Sequence, residues 1–168
     1  PEGLAVQYSR NVTAEQTVRV NAAQFILDEL AATSNDPMFS GVQVRLDSAW
    51  SKSWSSTAGI TYVAVSDAAG LTNTNVPDVH KGNTRTAGGV LLHNYHPFVI
   101  DAGVTKTLQA FPGYPGASPI RAAADYMTNS GADTSNDAYY AGVFFGKAAK
   151  RGSWEFKYRY RVIEADAW

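Results

Sequence analysis

The sequence contains no cysteine, which excludes disulfide bridges and thiolate metal sites. It has no run of about 18 consecutive apolar residues, which excludes a transmembrane helix. Basic residues are not in excess, since 14 Lys and Arg face 15 Asp and Glu and the net charge is −1. That balance argues against a general nucleic-acid-binding protein. The chain begins at Pro1 without Met or a basic and then apolar leader, as expected of a mature protein or an internal fragment.

Apolar and polar residues alternate with a period of two along most of the chain, which predicts β-strands. Clusters of Gly, Pro, Asn, Asp and Ser separate the alternating segments. The predicted strands are residues 4–12, 17–22, 42–50, 58–66, 99–108, 120–127, 138–146 and 154–162. One stretch, 22–32, also has helical spacing through Phe25, Ile26 and Leu30. A strand that runs into a loop is the favoured interpretation there.

Short and long connections alternate between these strands. The short connections are residues 11–16, 51–56, 109–118 and 147–153, and the long ones are 29–40, 67–97 and 128–137. This alternation is typical of an up-and-down meander with turns at one end of a barrel and external loops at the other. The longest connection contains GGVLLHNYH, which is either another short strand or a loop that folds over the mouth of the barrel.

The 168 residues suit one domain, and 45% of them are hydrophobic. This value does not separate a soluble protein from a transmembrane β-barrel, because only every second residue of a membrane strand needs to be apolar. The segment WEFKYRYRV, residues 154–162, shows the two choices, since one side is aromatic and the other is charged. A soluble barrel would bury the aromatic side, whereas an outer-membrane barrel would turn it towards lipid.

Charges of both signs recur on one side of several strands, which favours a water-filled lumen. The predicted pore-lining residues are Arg19, Arg45, Asp47, Asp101, Arg121, Asp125, Glu155, Lys157, Arg159 and Arg161. Aromatic residues gather at the short turns and on the last strand, as in the interfacial girdle of membrane barrels. The predicted lipid-facing or girdle residues are Trp50, Trp54, Trp154, Phe156, Tyr158 and Tyr160.

The stretch from FPGYPGASPIRAAADYM at residues 111–127 to the end of the chain carries a resemblance, above all in two motifs, GKAAKRG at residues 146–152 and WEFKYRYRVIEADAW at 154–168. They resemble the basic hairpin and the following strand of a bacterial porin family of outer-membrane β-barrel proteins. Residues 27–47 are similar to an earlier part of such chains. The resemblance implies an all-β fold, an antiparallel up-and-down transmembrane β-barrel. The single domain 1–168, with about eight strands, would be a C-terminal portion of a larger barrel, with further strands before Pro1 and after Trp168.

The expected function is therefore a porin in the bacterial outer membrane, a channel for passive diffusion of small hydrophilic solutes or ions. The excess of cations among the pore-lining residues predicts a weak anion preference. The expected partners are outer-membrane lipid, the solutes, and further chain segments or, by analogy with porins, a homotrimer. Two alternatives stay open. One is a soluble β-barrel whose Phe156, Tyr158 and Tyr160 line a cavity for an apolar ligand, and the other is a structural outer-membrane barrel that does not conduct.

Motifs for catalysis and for metal binding are weak. The sequence has no GxSxG, phosphate loop or dinucleotide fingerprint, so no catalytic residue, cofactor or enzyme activity is expected. His93 and His96 would need a third ligand to hold zinc, and nothing in the sequence places His80 beside them. The polar loop 129–137 lacks the ligand spacing of an EF-hand. No metal site is predicted.

Overall fold

The computed structural model describes residues 2–30, 35–71 and 82–168. Eight antiparallel strands form one sheet in the order of the sequence. They are β1 (Gly3–Asn11), β2 (Gln16–Ile26), β3 (Met38–Ala49), β4 (Trp54–Ser66), β5 (Pro97–Leu108), β6 (Ser118–Asn129), β7 (Asp137–Gly146) and β8 (Glu155–Ile163). A short 3₁₀ turn at Ala68–Gly70 follows β4. Within the described ranges, no helix is long and apolar enough to cross a bilayer.

All of the predicted strand segments are strands, which confirms the up-and-down meander. The helical alternative for residues 22–32 is wrong, because β2 continues through Phe25 and Ile26 and pairs there with β3. The described part of the longest connection, residues 82–96, forms a loop and not another strand of the sheet. Residues 72–81 of that connection lie outside the described parts of the chain. The sheet has two free edges, β1 and β8, so it is not a closed barrel.

The cross-strand register sorts the side chains into two faces. Even-numbered residues of β1–β6 and β8 and odd-numbered residues of β7 share one side, because each pairing matches them in turn. This side, called the apolar face, carries Val, Leu, Ile, Ala and Tyr along its middle. Its large side chains are exposed, for example Val6 at 57% and Tyr158 at 64% of the full accessible area. The opposite side is called the polar face.

A small core lies on the polar face at the end of the sheet that carries the long loops. Val63 and Val65 of β4 pack there with Ala68 and with Tyr95 of the loop 82–96. Trp168 reaches the same place, with its ring 6.4 Å from that of Phe39 on β3. The loop and the residues after β8 therefore fold together over the polar face and leave the apolar face uncovered.

Asn129 ties this loop to the end of β6. Its side chain is fully buried. The Oδ1 atom accepts the backbone N–H groups of His96 at 2.8 Å and Gly131 at 2.9 Å. The Nδ2 atom donates to the carbonyl oxygens of Asn94 at 3.0 Å and Asp166 at 2.7 Å. One side chain thus satisfies four backbone groups from three segments, which fixes their relative positions.

Asp166 extends the same network and is 2% exposed. Its carboxylate accepts the backbone N–H of Thr84 at 2.7 Å, the Thr84 hydroxyl at 2.6 Å and the Tyr95 hydroxyl at 3.2 Å. Burial raises the pKa of Tyr95 to about 12, so this hydroxyl stays protonated and remains a donor up to strongly basic pH. The buried carboxylate is therefore held by three donors.

We predict that Asn129→Ala lowers the free energy of unfolding by about 2–5 kcal/mol, because it leaves two partly buried N–H groups without an acceptor and removes the donor to two carbonyl oxygens. Equilibrium unfolding in urea measures the change. Asn11→Ala is the control, since Asn11 is exposed and its side chain accepts one hydrogen bond, from Thr17. We expect that control to stay within about 0.5 kcal/mol of the unmodified protein. Similar small effects of both substitutions would contradict the role given to Asn129.

Candidate functional site

The register brings the predicted pore-lining residues together on the polar face. β2 and β3 supply the first group, β5 and β6 the second, and β8 the third. In chain order they are Arg19, Arg45, Asp47, Asp101, Arg121, Asp125, Glu155, Lys157, Arg159 and Arg161. The register therefore shows that these side chains lie on the same side of the sheet. Their role in lining a pore remains a prediction.

Several of these charges form one row across the sheet, perpendicular to the strands. Its members are successive register partners on β2 to β8: Arg19, Arg45, Gly59, Asp101, Asp125, Tyr140 and Arg161. We call it the charge row. It is positive on β2 and β3, negative on β5 and β6, and positive again on β8. A solute that moves over this face would meet a field directed across the strands.

Like charges stand side by side at two places in the charge row, which is unfavourable unless an opposite charge lies close by. Asp47 supplies that charge at the first place. Its carboxylate oxygens lie 3.0 Å from Nε of Arg19 and 3.4 Å from Nε of Arg45. Arg45 also extends an Nη1 atom to within 3.5 Å of Oδ1 of Asp101. The two arginines are thus neutralised in part by two carboxylates.

The Arg45–Asp101 ion pair crosses over a whole strand. Arg45 lies on β3 and Asp101 on β5, and the residue between them in the register is Gly59 of β4. A Cβ atom on Gly59 would stand 2.2 Å from Oδ2 of Asp101, far inside van der Waals contact. Any other residue here would therefore require the Asp101 carboxylate to move from the position in which it meets Arg45.

The second like-charged pair is Asp101 and Asp125, which are direct register partners. Arg45 compensates the first carboxylate from one side. Arg161 faces the second from β8, two strands away, and attracts its negative charge. The residue between Asp125 and Arg161 is Tyr140, whose ring lies along its own strand over Gly142. Opposite charges thus flank the acidic centre of the charge row.

Cations exceed carboxylates most on β8, which carries three cations and one carboxylate. Lys157 pairs with Glu155 at 3.0 Å. Arg159 and Arg161 are exposed, and no carboxylate of the described residues lies within ion-pair distance of either one. The guanidinium group of Arg121 lies over the Phe144 ring, 5.7 Å from its centroid. These arginines are the cations of the polar face with the most freedom to meet an anion.

An uncharged ladder lies beside the charge row, and sequence reasoning missed it. Nε2 of Gln7 donates to Oδ1 of Asn21 at 2.9 Å, and Nδ2 of Asn21 donates to Oε1 of Gln43 at 3.0 Å. Gln43 in turn donates to the Thr61 hydroxyl at 3.0 Å. The feature that could have predicted this ladder was a polar side chain at the matching register position of each of the four strands. The ladder fixes the side chains of β1 to β4 in a hydrogen-bonded surface.

The aromatic residues of the short turns form a cluster at the edge of the apolar face. Phe145 stacks on Trp154 with the ring centroids 4.8 Å apart. Phe111 and Tyr114 from the β5–β6 turn pack against the same rings. Trp154 also donates its indole N–H to the carbonyl of Gly113 at 3.0 Å. We call these four residues the girdle cluster, and it joins two neighbouring hairpin turns.

The other predicted girdle residues follow the same division of the sheet. Trp54 lies on the apolar face with the ammonium group of Lys106 5.1 Å from its ring. Trp50, in the same turn, donates to the hydroxyl of Ser56 at 2.8 Å. Phe156, Tyr158 and Tyr160 lie on the apolar face of β8, and each is more than half exposed. The rings on β8 are thus open to the surroundings.

No protein-family model, curated protein or solved structure matches this chain. The resemblance to a porin family therefore stays a prediction that depends on the two motifs near the end of the chain. Both motifs now have a place in the fold. The first forms the turn between β7 and β8, and the second supplies β8 and the residues that pack over the polar face.

The histidines considered for zinc do not form a metal site with other described residues. His93 lies 4.0 Å from Oδ2 of Asp166. The described ranges contain no group of three or more His, Asp and Glu side chains arranged for a metal, and His80 lies outside those ranges. The polar loop 129–137 is held by Asn136, which donates to the carbonyls of Asn129 and Ala132, both at 2.9 Å.

We predict that Gly59→Ala lowers the free energy of unfolding by about 1–3 kcal/mol, the range typical of overpacking. The added methyl group should displace the Asp101 carboxylate and break its pair with Arg45. Gly88→Ala is the control, because a Cβ atom there would meet its nearest neighbour, Oγ1 of Thr86, at an ordinary 3.8 Å.

A double-mutant cycle in urea tests the cause of that loss. In an Asp101→Ala background the carboxylate is absent, and Gly59→Ala should then have little further effect. An equal loss in both backgrounds would show that Gly59 acts through something other than Asp101.

Proposed function

We propose that this chain forms part of an outer-membrane β-barrel whose polar face lines a water-filled channel for small hydrophilic solutes or ions. The observation that supports this most is the continuous, exposed apolar face. Exposed apolar surface of this extent is rare on soluble monomers and marks a surface that meets lipid or another protein. Bacterial outer-membrane barrels have such a band on the outside and a polar interior.

The position of the charges on the apolar face supports contact with lipid. Three charged side chains lie on this face in the strands, Arg10, Lys106 and Asp137, and all three are close to a strand end. Asp137 accepts the Tyr126 hydroxyl at 2.8 Å, so an aromatic ring shields it. The middle of the face carries no charge in the described strands. A hydrocarbon layer would favour this distribution, because charges are tolerated only near its boundaries.

Aromatic residues lie at both limits of the uncharged zone of the apolar face, and the distance between them suits the apolar band of an outer-membrane barrel. Trp54 and Tyr62 lie on the apolar face of β4, about 26 Å apart at about 3.3 Å per residue. With a strand tilt of about 40° this distance is about 20 Å along the membrane normal, close to the band of about 25 Å in outer-membrane barrels. Rings at both limits would occupy the headgroup layers.

The location of the small core also supports a membrane protein over a soluble one. Loop 82–96 and the residues after β8 cover part of the polar face and leave the apolar face bare. A soluble sheet gains stability by covering its apolar face, since removing apolar area from water is the main favourable term in folding. The arrangement is the reverse of what a soluble ligand-binding barrel needs.

One observation supports the second candidate, a structural barrel that does not conduct. The loop and the segment after β8 occupy the polar face at the long-loop end, where they would narrow a lumen. Single-channel recordings in planar bilayers separate the two candidates. Steps of conductance support the channel, and a stably inserted protein without such steps supports the structural barrel. Further chain segments or other copies, as in a porin trimer, would complete the barrel in either case.

We predict that Ala102→Arg prevents or strongly weakens insertion into lipid, by about 2–4 kcal/mol, because it places a cation midway between the levels of Trp54 and Tyr62 on the apolar face. Thr105→Arg is the matched control, since Thr105 lies on the polar face of the same strand. Folding into phosphatidylcholine vesicles, followed by protease protection and titration with urea, measures both. Equal insertion of the two variants would contradict a lipid contact for this face.

We predict an anion preference that depends on Arg159 and Arg161. Replacing both by Gln removes the two cations of β8 that have no carboxylate partner among the described residues, so the anion-to-cation permeability ratio should fall by at least about two-fold. The reversal potential under a salt gradient measures this ratio. Lys147→Gln with Lys150→Gln removes the same charge from a turn outside the polar face and should leave the ratio unchanged. A cation-selective channel in the unmodified protein would contradict the preference itself.

A further inference from the structure

Charges outside the polar face are divided between the two ends of the sheet. The end with the short turns carries exposed cations, which we call the basic rim: Arg10, Lys52, Lys106, Lys147, Lys150 and Arg151. Outside the polar face, the carboxylate that the structure describes at this end is Glu15. The end with the long loops is acidic, with Asp28, Glu29, Asp133 and Glu164 exposed. The two ends would therefore present opposite charges to their surroundings.

Two members of the basic rim lie on the apolar face itself. Arg10 is near the end of β1, and Lys106, near the end of β5, is the register partner of Trp54. The Lys106 ammonium group is 5.1 Å from the Trp54 ring, a distance at which a cation is attracted to an aromatic face. A cation and an indole that share one level favour the headgroup layer, where the ring meets the apolar boundary and the cation meets phosphate.

The turn between β7 and β8 holds three further cations on a defined backbone. Its Ser153 hydroxyl accepts the N–H groups of Ala149 at 3.0 Å and Lys150 at 2.9 Å and donates to the Lys150 carbonyl. The backbone of Lys147 both donates to and accepts from the Tyr114 hydroxyl, which belongs to the girdle cluster. The turn is thus fixed to the neighbouring hairpin beside its aromatic rings.

Lys150 extends from this turn over the next one. Its Nζ atom is 3.6 Å from the position that a Cβ atom on Gly116 would occupy. The cations of the β7–β8 turn therefore lie next to the β5–β6 turn, and both turns share the girdle cluster. Ammonium and guanidinium groups held beside interfacial rings match the negative phosphate of a lipid headgroup, which lies at the same depth.

We propose that the basic rim binds the headgroup phosphates of anionic phospholipids in the leaflet at the short-turn end. This inference depends on the proposed insertion into a membrane and adds a lipid preference and its location. The acyl chains of the neutral lipid phosphatidylcholine would contact the apolar face equally well. A preference for anionic lipid would therefore come from the cations of the basic rim. Insertion and preference are separate measurements, and the two proposals can fail separately.

The experiment uses the natural full-length protein in bilayers of phosphatidylcholine and phosphatidylglycerol in equal parts. Electron spin resonance of spin-labelled lipids gives the association of phosphatidylglycerol relative to phosphatidylcholine. The test variant is Lys147→Gln, Lys150→Gln and Arg151→Gln, which leaves the backbone contacts of the turn in place. The matched control is Lys157→Gln, Arg159→Gln and Arg161→Gln, which removes the same charge from the polar face.

We expect the unmodified protein to prefer phosphatidylglycerol. In the rim variant the association of phosphatidylglycerol relative to phosphatidylcholine should fall by at least about five-fold, which is the effect of one cation near an anionic surface. The polar-face control should stay within about two-fold of the unmodified protein. An inserted protein without a preference, an unchanged rim variant or an equal loss in the control would each overturn the inference and leave the proposed channel intact. A protein that fails to insert into phosphatidylcholine would overturn both proposals.

Discussion

The division of this sheet into two faces depends on a cross-strand register that runs without a bulge through every pairing. Side chains alternate along a strand, so a shift of one residue at any pairing would exchange the faces of all later strands. Such a shift between β2 and β3 would move Arg45 and Asp47 to the side of Val20 and Val18. The charged surface and the apolar surface are therefore specified together and would be lost together.

Small residues let the polar face carry many charges without strain. The ion pair between Arg45 and Asp101 exists because Gly59 leaves space above β4, and the Tyr140 ring lies in the space above Gly142. Long side chains can then reach across a strand to an opposite charge. The result is a field directed across the strands, positive above β2 and β3, negative above β5 and β6, and positive above β8. Hydrated ions of either sign would meet an attractive region on this face.

Alternation of apolar and polar residues in the sequence predicted the strands and their two sides. Side chains of a strand repeat every two residues, so this pattern is visible in the sequence of each strand alone. It did not predict the full length of β4, whose first residues, from Trp54 to Thr57, are mostly polar and resemble a turn. The contact between Asn129 and Asp166 could not be predicted from the sequence either, because the two residues are far apart in the chain and belong to no periodic pattern. The space above Gly59 is defined by β3, β4 and β5 together, so the sequence of a single strand does not predict it.

The free edges of the sheet add a last constraint. β1 and β8 each have unpaired N–H and C=O groups, and in hydrocarbon every such group costs several kcal/mol. Strand directions alternate through the eight strands, so β1 and β8 are antiparallel. They could therefore pair with each other or be joined by an even number of further strands. Direct closure would make a narrow barrel filled by side chains, in which the exposed Arg159 and Arg161 would lose most of their water and would need carboxylate partners. For the proposed channel, the cations of β8 would thus fit a wider barrel better, in which water and solute anions would supply the missing charge.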